Sequence, residues 1–143
     1  MAVYRKIEDV QRELAKHFIA AWEAVEDEHG NPANYPHVLG NERPDFTGKV
    51  IWARFSQQMV SNRNLYIGDS SDIRQRRGII RVEIHVPQDT ALKRIAELED
   101  AVIEAYEGTP PGNIRFANPF PTREGVVNGD YQTTCTIEFR VIG

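Results

Sequence analysis

The clearest periodicity in the chain lies between Gly78 and Gly108, where a strand pattern gives way to a helix pattern. Ile80, Val82, Ile84 and Val86 alternate with Arg81, Glu83 and His85. A period of two in β-branched residues gives an extended segment one apolar and one polar face. Pro87 has no N–H for a ladder and closes the strand. Asp89 or Thr90 is then placed to cap a helix, its side-chain oxygen accepting from a free first-turn amide. Along that helix Leu92, Ile95, Leu98 or Glu99, Val102 and Tyr106 recur at three- and four-residue steps, the spacing of one buried stripe. Gly108 ends it, and Pro110-Pro111 prevents a restart.

The same test, applied in chain order, predicts the remaining elements. Ile7, Val10, Leu14, Phe18, Ala21, Trp22 and Val25 form a helical stripe, with Glu8, Asp9, Arg12, Glu13 and Lys16 between them. Gly30 and Pro32 stop this helix. Asn31 to Thr47 holds three prolines and little periodicity, and reads as a long ordered loop. Lys49 to Gln57 is a strand with Ile51, Ala53 and Phe55 on one face and Trp52 and Arg54 on the other. A tryptophan on a nominally wet face implies a covering layer or partner. Gln58 to Arg77 is polar and weakly periodic, and reads as a long hairpin extension or flap with a basic RQRR tip. Ile114 to Phe116 is a short strand broken by Asn118-Pro-Phe-Pro, and Arg123 to Asp130 is a turn. In the last strand Tyr131, Thr133, Cys135, Ile137, Phe139 and Val141 alternate with polar residues. Helix, strand, excursion, strand, helix, strand, strand predicts one α+β domain over residues 1–143. It is a mostly antiparallel sheet of about four strands with two helices on one face.

Composition narrows the class. A chain of 143 residues, 41% apolar and 27% charged, buries a core without metal or disulfide. A formal charge of −4 disfavours a dedicated nucleic-acid binder. One cysteine excludes an internal disulfide and a multi-cysteine zinc site. No run approaches a membrane span, and MAVYRKIEDV lacks the apolar core of a signal peptide. A cytoplasm-like compartment is therefore expected.

Candidate chemistry is sparse. The four histidines have no second ligand at metal spacing. Cys135 lies on an apolar strand face, where a small buried hydrophobe is expected rather than a nucleophile. Glu97, Glu99, Asp100 and Glu104, beside Lys93 and Arg94, read as the wet face of a helix. Gly125 and Gly129 lack the strand–glycine–helix setting of a phosphate loop. No catalytic residue, cofactor or metal site is expected. Arg74, Arg76 and Arg77 are the feature above background. Their two readings are a solvated loop, or contact with an acidic protein surface or a DNA backbone.

The layout of long helix, proline-rich loop, strand ending in Arg54-Phe55, long excursion, GIIRVEIHVP, helix and YQTTCTIEFRV resembles the tail terminator proteins of long-tailed phages. The resemblance runs from about Ile7 to Val141. It implies a virion structural subunit that forms a hexameric ring on the last ring of the tail tube, at the head-proximal end. There it stops polymerisation of the tail tube protein and offers a face to head–tail connector proteins, after assembly in the host cytoplasm. Arg74, Arg76, Arg77, Trp52 and Arg54 are then candidates for the subunit or tail-tube interface. The competing class is a small nucleic-acid-binding α+β module using Trp52, Arg54, Arg81 and His85 with the basic loop.

Overall fold

The computed structural model describes residue 3 and residues 6–44, 50–67 and 70–142; side chains are described for all of these except 61–67 and 70–74. Within them two helices, α1 (Ile7–Glu23) and α2 (Leu92–Glu107), lie against one sheet. Its strands are β1 (His37–Leu39), β2 (Trp52–Ile67), β3 (Ser70–Val86), β4 (Ile114–Val127) and β5 (Asp130–Ile142). The spatial order is β1-β2-β3-β5-β4, antiparallel throughout except for the parallel pair β1–β2. The architecture is α+β with five strands, one more than the pattern predicts.

The core follows from the alternation. Ile80, Val82, Ile84 and Val86 of β3 face the helices together with Cys135, Ile137, Phe139 and Val141 of β5 and Ala53 and Phe55 of β2. Onto them α1 lays Val10, Leu14, Phe18 and Trp22, and α2 lays Ile95, Leu98, Val102 and Tyr106. Phe18 stacks between Trp22 and Phe55 at ring separations of 6.3 and 5.1 Å, fixing α1 over β2. The opposite face of the sheet carries no helix among the described residues.

Several local expectations are corrected. The Asn31–Thr47 stretch contains β1, which pairs His37, Val38 and Leu39 with Ala53, Arg54 and Phe55; residues 45–47 lie outside the described set. Three residues are too short a run to show periodicity, and the parallel partner supplies the pairing. The excursion takes the expected form of a long hairpin extension, with β2 and β3 continuing as one antiparallel hairpin. Its basic run is not a tip, because Arg74 already pairs with Asn64 in the ladder and β3 begins at Ser70. Asn118-Pro-Phe-Pro does not end β4. The strand passes it with a shift of register between Ala117 and Phe120, Asn118 adopting φ 51°. Proline is compatible here because β4 is an edge strand, where a missing N–H costs no central ladder bond. The turn shrinks to Asn128-Gly129, both at positive φ (52° and 88°), the pair favoured by a two-residue hairpin. Neither Asp89 nor Thr90 caps α2. Ala91 occupies the N-cap position without a side-chain bond, and the Thr90 amide donates to the Pro87 carbonyl in a turn.

Candidate assembly surfaces

Helix α2 also departs from a simple wet-and-dry division. Leu92 is 63% exposed, whereas Arg94 and Glu99 are buried. The Arg94 guanidinium donates to the Glu26 carbonyl (2.6 Å) and the Tyr35 hydroxyl (2.8 Å), and pairs with Glu97 at 3.0 Å. It therefore ties α2 to the segment that follows α1. Glu99 accepts from Arg123 at 2.9 and 3.2 Å and from the Thr133 hydroxyl at 2.6 Å. Burial pushes the Glu99 carboxyl up, but the bonds from Arg123 and Thr133 outweigh it and hold it below its ordinary value. Both groups are anchors of the fold.

Cys135 is fully buried, and burial with the nearby Glu99 carboxylate pushes its thiol up to about 12. It is an inert core residue, as its place in the alternation implies. His17 packs on Tyr106 and Phe116 at 4.8 and 5.0 Å, and burial lowers its pKa. Among the described residues no group of three His, Cys, Asp or Glu side chains converges as a metal site, and no helix is long and apolar enough to cross a membrane.

The sequence-selected interface residues fall into two groups on the sheet, Trp52 with Arg54 and Arg76 with Arg77; Arg74 pairs with Asn64 in the ladder, and its side chain lies outside the described set. Trp52 and Arg54 are on the helix-free face. Trp52 stacks on its cross-strand partner His85 with ring centroids 3.9 Å apart and planes within 5°. The Arg54 guanidinium lies 5.6 Å from the Trp52 ring and 3.5 Å from Glu83, and it donates to the carbonyls of Gly40 (2.7 Å) and Glu42 (2.9 Å). Its first task is to hold the loop after β1. Around them is a concavity of about 620 Å³ that also receives Glu124, Asp130 and Gln132. Glu83 accepts from Gln132 at 3.0 Å and Glu124 accepts from the Thr134 hydroxyl, so these carboxylates are engaged. Burial lowers the pKa of His85 despite the opposing charges of Glu83 and Asp130. The cluster is a polar network built around stacked rings, in which the buried Nε2 of His85 makes no hydrogen bond among the described residues.

The second group lies six residues along β3 from Glu83, roughly 20 Å away at 3.3 Å per residue. Alternation separates its members. Arg76 pairs with core-facing Val141 and is half-buried, whereas Arg77 pairs with Arg140 and is exposed on the helix-free face. Arg140 in turn pairs with Arg115 of β4. One rung therefore carries Arg77, Arg140 and Arg115 side by side across three strands, all exposed. Sequence reading did not join Arg115 and Arg140 to Arg77, because the order β3-β5-β4 is needed to do so. Their outward phase in the alternation was the available signal. They border a groove of about 530 Å³ whose apolar lining includes Val60, Ile79 and Ala117.

No protein-family model and no curated protein matches the chain. Among solved structures, 23 chains match, so the fold recurs. One of them, whose name states no function, superposes with a TM-score of 0.63 at 13% identity over 96% of both chains. That likeness concerns the fold.

Proposed function

We propose that this protein is a structural assembly subunit, a tail terminator that caps the tail tube of a long-tailed phage as a ring and presents a surface for head–tail joining. The observation that carries the reading is the β2–β3 hairpin. Beyond Gln75, β3 pairs with β2 alone, since β5 ends at Ile142 opposite Gln75. A two-stranded ribbon thus projects past the sheet by about 15 Å, at 3.3 Å per residue. Two-stranded hairpins are marginal in water without a third partner. A projecting ribbon of this kind fits a neighbouring subunit or the tail tube, and a ring is the closed form of such a heterologous contact. The resemblance along the sequence supplies the biological setting.

The test begins with the wild-type mass in solution, where a hexameric ring is expected. Replacing residues 65–73 with Asn-Gly would join the paired Asn64 and Arg74 through a two-residue turn. Circular dichroism should be unchanged, while the ring is lost and phage carrying the variant make tails of uncontrolled length. A wild-type chain that stays monomeric and leaves tail length unaffected when deleted would overturn the reading.

The arginine rung favours one rival, a nucleic-acid-binding module. Against it, the Trp52 ring is occupied by His85 and flanked by Arg54, which leaves little of it for base stacking. Retardation of duplex DNA by a wild-type monomer would support that rival.

A further inference from the structure

We infer that the arginine rung of one copy receives the acidic outer stripe of α2 from a second copy, forming the repeating contact between subunits. The inference rests on the ring reading above and names its interface.

Two arrays of opposite charge sit on opposite faces of the molecule, and each is unfavourable in the isolated chain. On the helix-free face, Arg140 lies directly between Arg77 and Arg115. Like charges placed opposite one another across strands repel. Arg115 turns its guanidinium onto the carbonyls of Gly112 (2.9 Å) and Ile114 (2.8 Å). Among the described residues, Arg77 and Arg140 make no ion pair. Glu138, on the same face, receives the Asn118 amide at 2.8 Å.

On the helix layer, Glu97, Asp100, Glu104 and Glu107 follow at steps of three and four, on the side of α2 away from its buried residues. All four are exposed, and Glu97 alone is paired, with Arg94. Glu104 and Glu107 occupy the last turn, where carbonyl dipoles already concentrate negative charge, and no basic residue lies there to offset it. Repulsion within each array is relieved when the two meet. Because they lie on different faces of one chain, they meet head to tail, the heterologous geometry that a ring requires. The apolar Val60, Ile79 and Ala117 lining the groove give the contact area that charge alone lacks. Charge then fixes the register.

The test is a charge exchange read by sedimentation at low salt. Arg77→Glu with Arg140→Glu should weaken self-association by roughly tenfold or more, as should Glu104→Arg with Glu107→Arg. The quadruple variant should recover assembly to within a few-fold of wild type. Circular dichroism monitors the fold, and Arg77→Gln with Arg140→Gln replaces the reversal should that variant misfold. A wild-type ring that the single-face variants form equally well, or that the quadruple variant fails to recover, overturns this interface and leaves the ring reading standing. A wild-type monomer overturns both. Duplex DNA bound by wild type and lost on Arg77→Glu with Arg140→Glu, with self-association unaltered, assigns the rung to a polyanion and also overturns the proposal.

Discussion

A Cβ built at position 78 would lie 2.3 Å from Cζ of Phe139 and 2.5 Å from the Gln58 carbonyl oxygen. Gly78 faces Phe139 across the β3–β5 ladder, and the ring fills the space that a side chain would need. The neighbouring strand shifts register between Met59 and Ser61, so the backbone also closes in. Gly78→Ala is expected to cost about 1–3 kcal/mol through overpacking. Adding Phe139→Leu should recover part of that cost, since the carbonyl contact remains; urea midpoints of the four species measure the coupling. Full additivity would show that ring and glycine do not share the space. Titration adds a second prediction at this scale. Burial holds His17 below its ordinary 6.5, so the unfolded chain binds a proton before the folded one and stability falls as pH drops below about 6.5. His85 has the same sign. Glu99 is held below 4.5, so its contribution is present above that pH and is lost as pH falls through the folded value. Stability should therefore decline in acid, and His17→Phe should flatten the upper part of the decline. Urea midpoints that rise between pH 7 and 5.5 would contradict the burial assigned to both histidines.

Elements were legible where side-chain period alone decides them. The alternation in β3 and β5 and the stripe of α1 are one-dimensional signals, and Phe18, Ile84 and Ile137 are buried as their phase requires. What escaped depends on neighbours remote in sequence. Pro119 and Pro121 look like breakers until β4 is known to be an edge. Arg94 and Lys93 look alike as charged helix residues until Tyr35 and Glu26 arrive beside one of them. The arginine rung needs two strand pairings at once, so no local pattern contains it. Helix α2 gives this difference a measurable form. Ile95→Ala should cost about 2–5 kcal/mol, through lost burial and a residual cavity. Arg94→Ala should cost about 1.5–3 kcal/mol, because its charged hydrogen bonds to buried acceptors vanish. Lys93→Ala and Glu104→Ala should move the denaturant midpoint little. Equal effects of Arg94→Ala and Lys93→Ala would show that Arg94 does not bridge the layers.

At the scale of the molecule, the last strand is an interior strand of the sheet. β5 lies between β3 and β4, and β4 pairs with no other described strand. Helix α2 packs over β4, β5 and β3, so most of the seat for its inner face is missing until β5 is in place. The projecting ribbon is the opposite case, since only β2 and β3 join in it. Two deletions of similar size should therefore behave very differently. Ending the chain after Thr134 removes Ile137, Phe139 and Val141, all buried. At about 1.5–3 kcal/mol for each large side chain, the gross loss is roughly 5–9 kcal/mol, comparable with the whole stability of a small domain. The ladders that join β4 to β3 disappear as well. The expected product is an aggregation-prone chain without a cooperative thermal transition. The Asn-Gly replacement of residues 65–73 should instead retain a single cooperative transition near the wild-type temperature. A truncated chain that still melted cooperatively would mean that β1, β2, β3 and the helices fold without β5. The sheet would then be two units, and the arginine rung that spans β3, β5 and β4 would lose the rigid frame on which its alignment depends.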